Sequence, residues 1–231
     1  MSFLADSFIS ALHLIWSLNR EMISIVSVSL RVSLGSVIIA SFLGVPLGLA
    51  ISLKTFVGKR FVITCLNTLL ALPTVAIGLF VYVFISRRGV FGIFDLLYSQ
   101  NAIIIGQTIL VLPLISSLTI STVSQIDDRY RKTALTLGAN GRQAATMIFL
   151  EARFGILAAV VAAFGRVVSE VGISMMLGGN AKGFTRTITT AMALEYDKGE
   201  FVLALALGIV LLILSFVVNT LFHFFQGRGK R

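Results

Sequence analysis

The sequence predicts an all-α membrane protein with about five transmembrane helices behind an N-terminal interfacial helix. Three observations carry that reading. The 231 residues are 57% hydrophobic and 13% charged, with mean hydropathy +0.97, whereas a typical soluble domain carries about 25% charged residues. Five apolar stretches, at about 23–52, 61–86, 101–124, 153–177 and 201–225, each reach the roughly 20 residues a helix needs to cross a bilayer. Lys and Arg are also shared unevenly between the loops, as orientation in a membrane requires. Disorder is excluded by the same composition, and a soluble chain of this size could not hide so much hydrocarbon in one core.

Residues 1–21 come first. Leu4, Phe8, Ala11, Leu12 and Ile15 recur at helical spacing opposite Asp6, Ser10, His13 and Ser17, which predicts an amphipathic helix lying in the membrane interface with Trp16 near its end. No basic leader or small-residue cleavage site marks a signal peptide, so the segment is kept as structure. Residues 22–226 form the transmembrane domain, with a long loop at 125–152, and 227–231 form a basic tail. The chain stops shortly after the last span, so no appended regulatory domain is expected.

With the N-terminus outside and the C-terminus inside, the cytoplasmic segments hold 11 Lys and Arg residues and the outer ones 6. The positive-inside rule favours that orientation. It also accounts for the net charge of +9 without nucleic acid, since no basic run is interleaved with exposed aromatics. Pro46, Pro73 and Pro113 all lie within the proposed spans, where proline kinks a helix whose neighbours re-satisfy its backbone. Gly44 and Gly48 are spaced for close contact with another helix. Cys65 is the only cysteine, and His13 and His223 lie far apart, so disulfides and a metal centre are not expected.

The longest cytoplasmic loop carries the strongest functional signal. Asp127 or Asp128 can cap a helix that Gly138 stops, and Asn140 followed by Gln143 resembles a capping box for a second short helix. This predicts a helix–Gly turn–helix presenting Ala134, Leu135 and Leu137 near its turn. Such a turn suits either insertion into a partner's groove or packing against its own protein. The run from Lys132 through Thr133, Ala134, Leu135, Leu137, Gly138 and Ala139, continuing past Arg142 to Ile148 and Leu150, resembles the cytoplasmic EAA loop of binding-protein-dependent ABC importer permeases. That pattern reads Glu-Ala-Ala, three residues, Gly, then Ile-x-Leu-Pro. Ala134, Gly138, Ala139, Ile148 and Leu150 are kept, while Lys132, Thr133 and Glu151 replace Glu, Ala and Pro.

The resemblance extends over most of the chain and narrows to the molybdate, tungstate and sulfate permeases. Ser29-Leu-Arg-Val-Ser, Ser86-Arg-Arg-Gly-Val-Phe-Gly and Thr185-Arg-Thr-Ile-Thr-Thr-Ala-Met carry it, and Ser169-Glu-Val-Gly-Ile-Ser-Met-Met-Leu-Gly-Gly-Asn looks most like tungstate permeases. The resemblance implies a type I importer fold, a homodimer and a coupling loop docked on two ATPase subunits. It also implies an extracytoplasmic binding protein that delivers the oxyanion. No phosphate-cradling Gly-x-x-x-x-Gly-Lys-Ser/Thr occurs, so this chain should bind no cofactor and be no enzyme itself, with Mg-ATP used by the partner ATPase.

Arg166 and Glu170 stand four apart in the fourth apolar stretch, with Ser169 beside them. Ionisable groups at membrane depth face a bundle interior or a water path. They therefore read as a structural ion pair, which the residues alone favour, or as a pathway lining that offers Arg166 to an anion. Arg87, Arg88, Lys182 and Arg186 bias the outer face positive, which would help an anion approach. Two other classes compete. A secondary transporter would show internal repeats and broken midplane helices, and no convincing repeat is found. An intramembrane enzyme would need paired acids or a His–Glu motif in facing spans, and Glu170 stands alone.

Overall fold

The computed structural model describes residues 2–17 and 19–228, so the end of the basic tail, with Lys230 and Arg231, lies outside the described residues. In chain order the α-helices are α1 (Ser2–Trp16), α2 (Arg20–Leu53), α3 (Lys59–Leu69), α4 (Thr74–Ile85) and α5 (Gln100–Ser124). They continue with α6 (Asp128–Thr136), α7 (Gly141–Val168), α8 (Gly172–Gly178), α9 (Ile188–Asp197) and α10 (Phe201–Arg228). No strand occurs among the described residues.

Four helices, α2, α5, α7 and α10, are long and apolar enough to span, and α3 with α4 makes a fifth only as a bent pair. The 61–86 stretch, read as one span kinked at Pro73, is thus a pair of helices that meet at 99°. Leu70–Leu72 form a turn, and Pro73 stands at the N-cap of α4 in an extended conformation. Proline supplies no N–H to continue α3 and pushes the residue before it out of helical backbone. Pro46 and Pro113, by contrast, lie inside α2 and α5 as expected.

α5 is the centre of the bundle. It packs on α2, α7, α8, α3 and α4, and Ile103, Val111 and Ile115 are fully enclosed. The α2–α5 seam depends on small residues: a Cβ on Gly48 would lie 2.7 Å from Thr119 Cβ and 2.8 Å from the Ser116 carbonyl oxygen. Close approach lets Ser116 Oγ donate to the Gly44 carbonyl at 3.2 Å. Nearby, Ser36 Oγ donates to Gln107 Oε1 at 2.9 Å, and Gln107 Nε2 donates to the Val167 carbonyl at 3.3 Å. One buried glutamine thus ties α2, α5 and α7 together, its polar atoms satisfied where leaving them unpaired would be costly.

Further differences from the sequence reading lie at helix ends. The helix predicted as short after Asn140 runs 28 residues as α7, merging with the fourth apolar stretch. That stretch is broken after Val168 and restarts as α8 at Gly172, with Ser169 Oγ folded back onto the Gly165 carbonyl at the break. α9 was read only as outer loop; Thr187 caps it through a reciprocal box with Thr190. α1 is helical as expected and packs on α10 with Ala11 enclosed, while Phe8 and Leu12 of its predicted apolar face stay exposed.

Candidate functional site

The hairpin between α5 and α7 is built from three local signals. Asp127 Oδ1 accepts the Arg129 N–H at 2.9 Å and starts α6. Gly138, at φ +86°, ends it in the left-handed region that suits glycine, and the Ala139 N–H reaches back to the Ala134 carbonyl at 3.0 Å. Asn140 and Gln143 then exchange side chain–backbone bonds at 2.8 and 2.9 Å, the reciprocal box that opens α7. Ala134 is buried, whereas Leu135 is exposed and Leu137 is 81% exposed. Lys132, Thr133, Gly138 and Arg142 are also exposed and Ala139 is half-buried. The turn therefore presents apolar surface outward, with α6 held on α7 through its alanine side.

Arg166 Nη1 stands 3.5 Å from Glu170 Oε2. Glu170 is 3% exposed and Arg166 45%, so the carboxylate is the enclosed member. Its other oxygen accepts the Ile173 N–H at 3.3 Å, which caps the first turn of α8, and its carbonyl accepts Thr189 Oγ1 at 2.7 Å. Glu170 thereby fastens the end of α7 to α8 and α9. Ser169 is exposed, and its hydroxyl is spent on the Gly165 and Arg166 carbonyls.

The cations expected on the outer face are more neutralised than sequence suggests. Lys182 Nζ lies 2.8 Å from Glu21 Oε2, Arg186 Nη1 lies 3.6 Å from Glu21 and 3.7 Å from Glu195, and Lys198 Nζ lies 3.0 Å from Glu195. Arg87 pairs with Asp95 at 3.5 Å. Of the four cations expected to attract an anion, Arg88 alone lacks a described carboxylate partner. Sequence reasoning missed Glu21 and Glu195, since Glu21 and Lys182 are 161 positions apart. At the end of α4, the Tyr82 phenol repels charge on Tyr98 of the following loop and hydrogen-bonds to it, holding the Tyr98 phenol above its usual pKa.

Fold and site define a class: a polytopic, all-α membrane protein with a capped helical hairpin projecting from its spans. Residues 21–231 match the family model described as the binding-protein-dependent transport system inner membrane component, and the chain belongs to that family. It is 39% identical over 212 residues to a probable anion ABC transporter permease protein of Haloferax volcanii, covering 90% of this chain and 91% of that one. It is 37% identical over 226 residues to the tungstate uptake system permease protein TupB of Peptoclostridium acidaminophilum, covering 98% and 99%. Its fold is shared, at TM-score 0.77 and 19% identity over 98% of this chain and 84% of the other, with a bacterial ABC transporter involved in import of the acidic polysaccharide alginate.

Proposed function

We propose that this chain is the permease subunit of an ATP-driven importer for a tetrahedral oxyanion, tungstate before molybdate or sulfate. The observation that carries this reading is near-full-length similarity to a tungstate permease, joined to a hairpin whose apolar turn is exposed. The N-terminus lies outside and the hairpin inside, as the Lys and Arg distribution favours. Two ATPase subunits seat the hairpin turns of two permease copies at Leu137, and an extracytoplasmic binding protein delivers the anion. ATP-driven movement of the hairpins opens the spans alternately to the two sides, the shift being set by differential binding to the two states.

A second copy is supported by Arg166. Counting along α7, Arg166 lies about 20 Å beyond Arg153 at 1.5 Å per residue, well within the apolar thickness. Nearly half its side chain is exposed on the protomer, and a guanidinium facing lipid there would cost about 3 kcal/mol or more. A second protomer or a water path covers it in the assembled transporter.

Specificity belongs to the binding protein, because a path that bound its ion tightly could not release it. Arg166→Ala is therefore expected to lower tungstate uptake by proteoliposomes at least tenfold while leaving the tungstate-to-molybdate ratio unchanged. It also strips Glu170 of its charge partner, so thermal melting is measured in parallel. A shifted ion ratio would place selectivity in this chain and overturn that assignment.

A further inference from the structure

Where α2 ends, the last turns of α2, the exposed side of α6 and the start of α7 diverge around a groove of about 870 Å³. Its floor is hydrocarbon: Pro46, Leu49 and Leu53 from α2, Leu135 from α6, and Ala145 and Ile148 from α7. Its rim is cationic. Lys54, Arg131 and Arg142 converge there, and no acidic residue lines it.

None of the three cations is paired with a described carboxylate. Asp127 caps α6 and sits 3.7 Å from Arg129. The carbonyls at the C-terminus of α2 are served by Lys59, whose Nζ donates to Ser52 O at 2.7 Å and Lys54 O at 3.2 Å. The Lys54 ammonium is thus left for another partner. Arg142 stands in the first turn of α7, where the helix dipole disfavours a cation. Three cations without a described carboxylate partner, beside a helix N-terminus, repel one another until an anion joins them.

The apolar floor identifies which anion. A free inorganic ion would gain nothing from six hydrocarbon side chains and would fill little of the volume. An amphiphile with an anionic head matches both parts, and Lys54 directly follows the last residue of the α2 span, which sets the rim at headgroup level. Basic pockets between spans at this boundary bind anionic lipid heads.

We infer that the groove holds one anionic phospholipid, its phosphate on Lys54, Arg131 and Arg142 and an acyl chain along the floor between α2 and the hairpin. The inference needs the chain to be membrane-embedded and is independent of the transported ion. The full-length chain in detergent is titrated with phosphatidylglycerol and with phosphatidylcholine, and bound lipid is read by native mass spectrometry. Phosphatidylglycerol should be retained at about tenfold lower concentration, each cation contributing to the preference. The combined variant Lys54→Gln, Arg131→Gln, Arg142→Gln should bring the two lipids level. Ala145→Trp, which fills the floor and keeps every cation, should also abolish phosphatidylglycerol retention, and it carries the test if the triple variant fails to fold. Equal retention of both lipids by the unaltered chain would overturn the inference. So would an undiminished preference in Ala145→Trp, which would leave only attraction to surface charge.

Discussion

Gly48→Leu is expected to lower the stability of the purified chain by about 3 kcal/mol or more, the upper range for overpacking a filled interior. The reason is the contact across the α2–α5 seam. Even a Cβ at Gly48 would meet the Ser116 carbonyl oxygen at 2.8 Å, and backbone cannot rotate away as a side-chain end can. The two helices must separate, which also loosens the Ser116–Gly44 hydrogen bond and the polar tie through Gln107. Gly35 provides the internal comparison. A Cβ there meets only the flexible end of Ile104, at 3.2 Å from Cδ1, so Gly35→Ala should melt close to the unaltered chain. Thermal melting in detergent checks both. Equal melting of Gly48→Leu and the unaltered chain would contradict α5 as the packing centre.

Leu137→Asp is expected to leave melting unchanged and to reduce binding-protein-stimulated ATP hydrolysis of the assembled transporter at least tenfold. Its side chain is 81% exposed, so the protomer gains nothing from it and loses nothing when it changes. In a partner's apolar groove a carboxylate would be desolvated without a counter-charge, at a cost of several kcal/mol, and each 1.4 kcal/mol is about tenfold in binding. Gly138 holds the turn in a left-handed conformation and the Asn140–Gln143 box fixes the exit, so the substitution acts on the docked surface rather than on the hairpin's shape. Unimpaired stimulation would mean that the turn packs against nothing that matters for coupling.

The features legible in sequence were those set by short-range rules. Long apolar runs marked α2, α5 and α10, and Asp127, Gly138, Asn140 and Gln143 marked the hairpin caps because each acts within a few residues. The features that were hidden depend on the third dimension or on competing signals. Pro73 reads in sequence as a kink within a span, and only the turn at Leu70–Leu72 shows how sharp it is, at 99°. α9 begins at a Thr–Thr capping box instead of the usual Thr–Glu or Thr–Gln. Arg166 and Glu170 stand 3.5 Å apart, yet the link from Glu170 to α8 and α9 could not be read from a spacing of four. The charge network of Glu21, Lys182, Arg186 and Glu195 joins the start of α2 to α9, and no local pattern announces it.

In the proposed function, this permease couples a partner's ATP hydrolysis to oxyanion import. The most direct test is hydrolysis by the chain reconstituted in liposomes with its ATPase, with binding protein added empty or loaded with tungstate, molybdate or sulfate. Hydrolysis should be stimulated several-fold by the tungstate-loaded form over the empty one. A stable complex whose hydrolysis responds to none of the loaded forms would contradict that function.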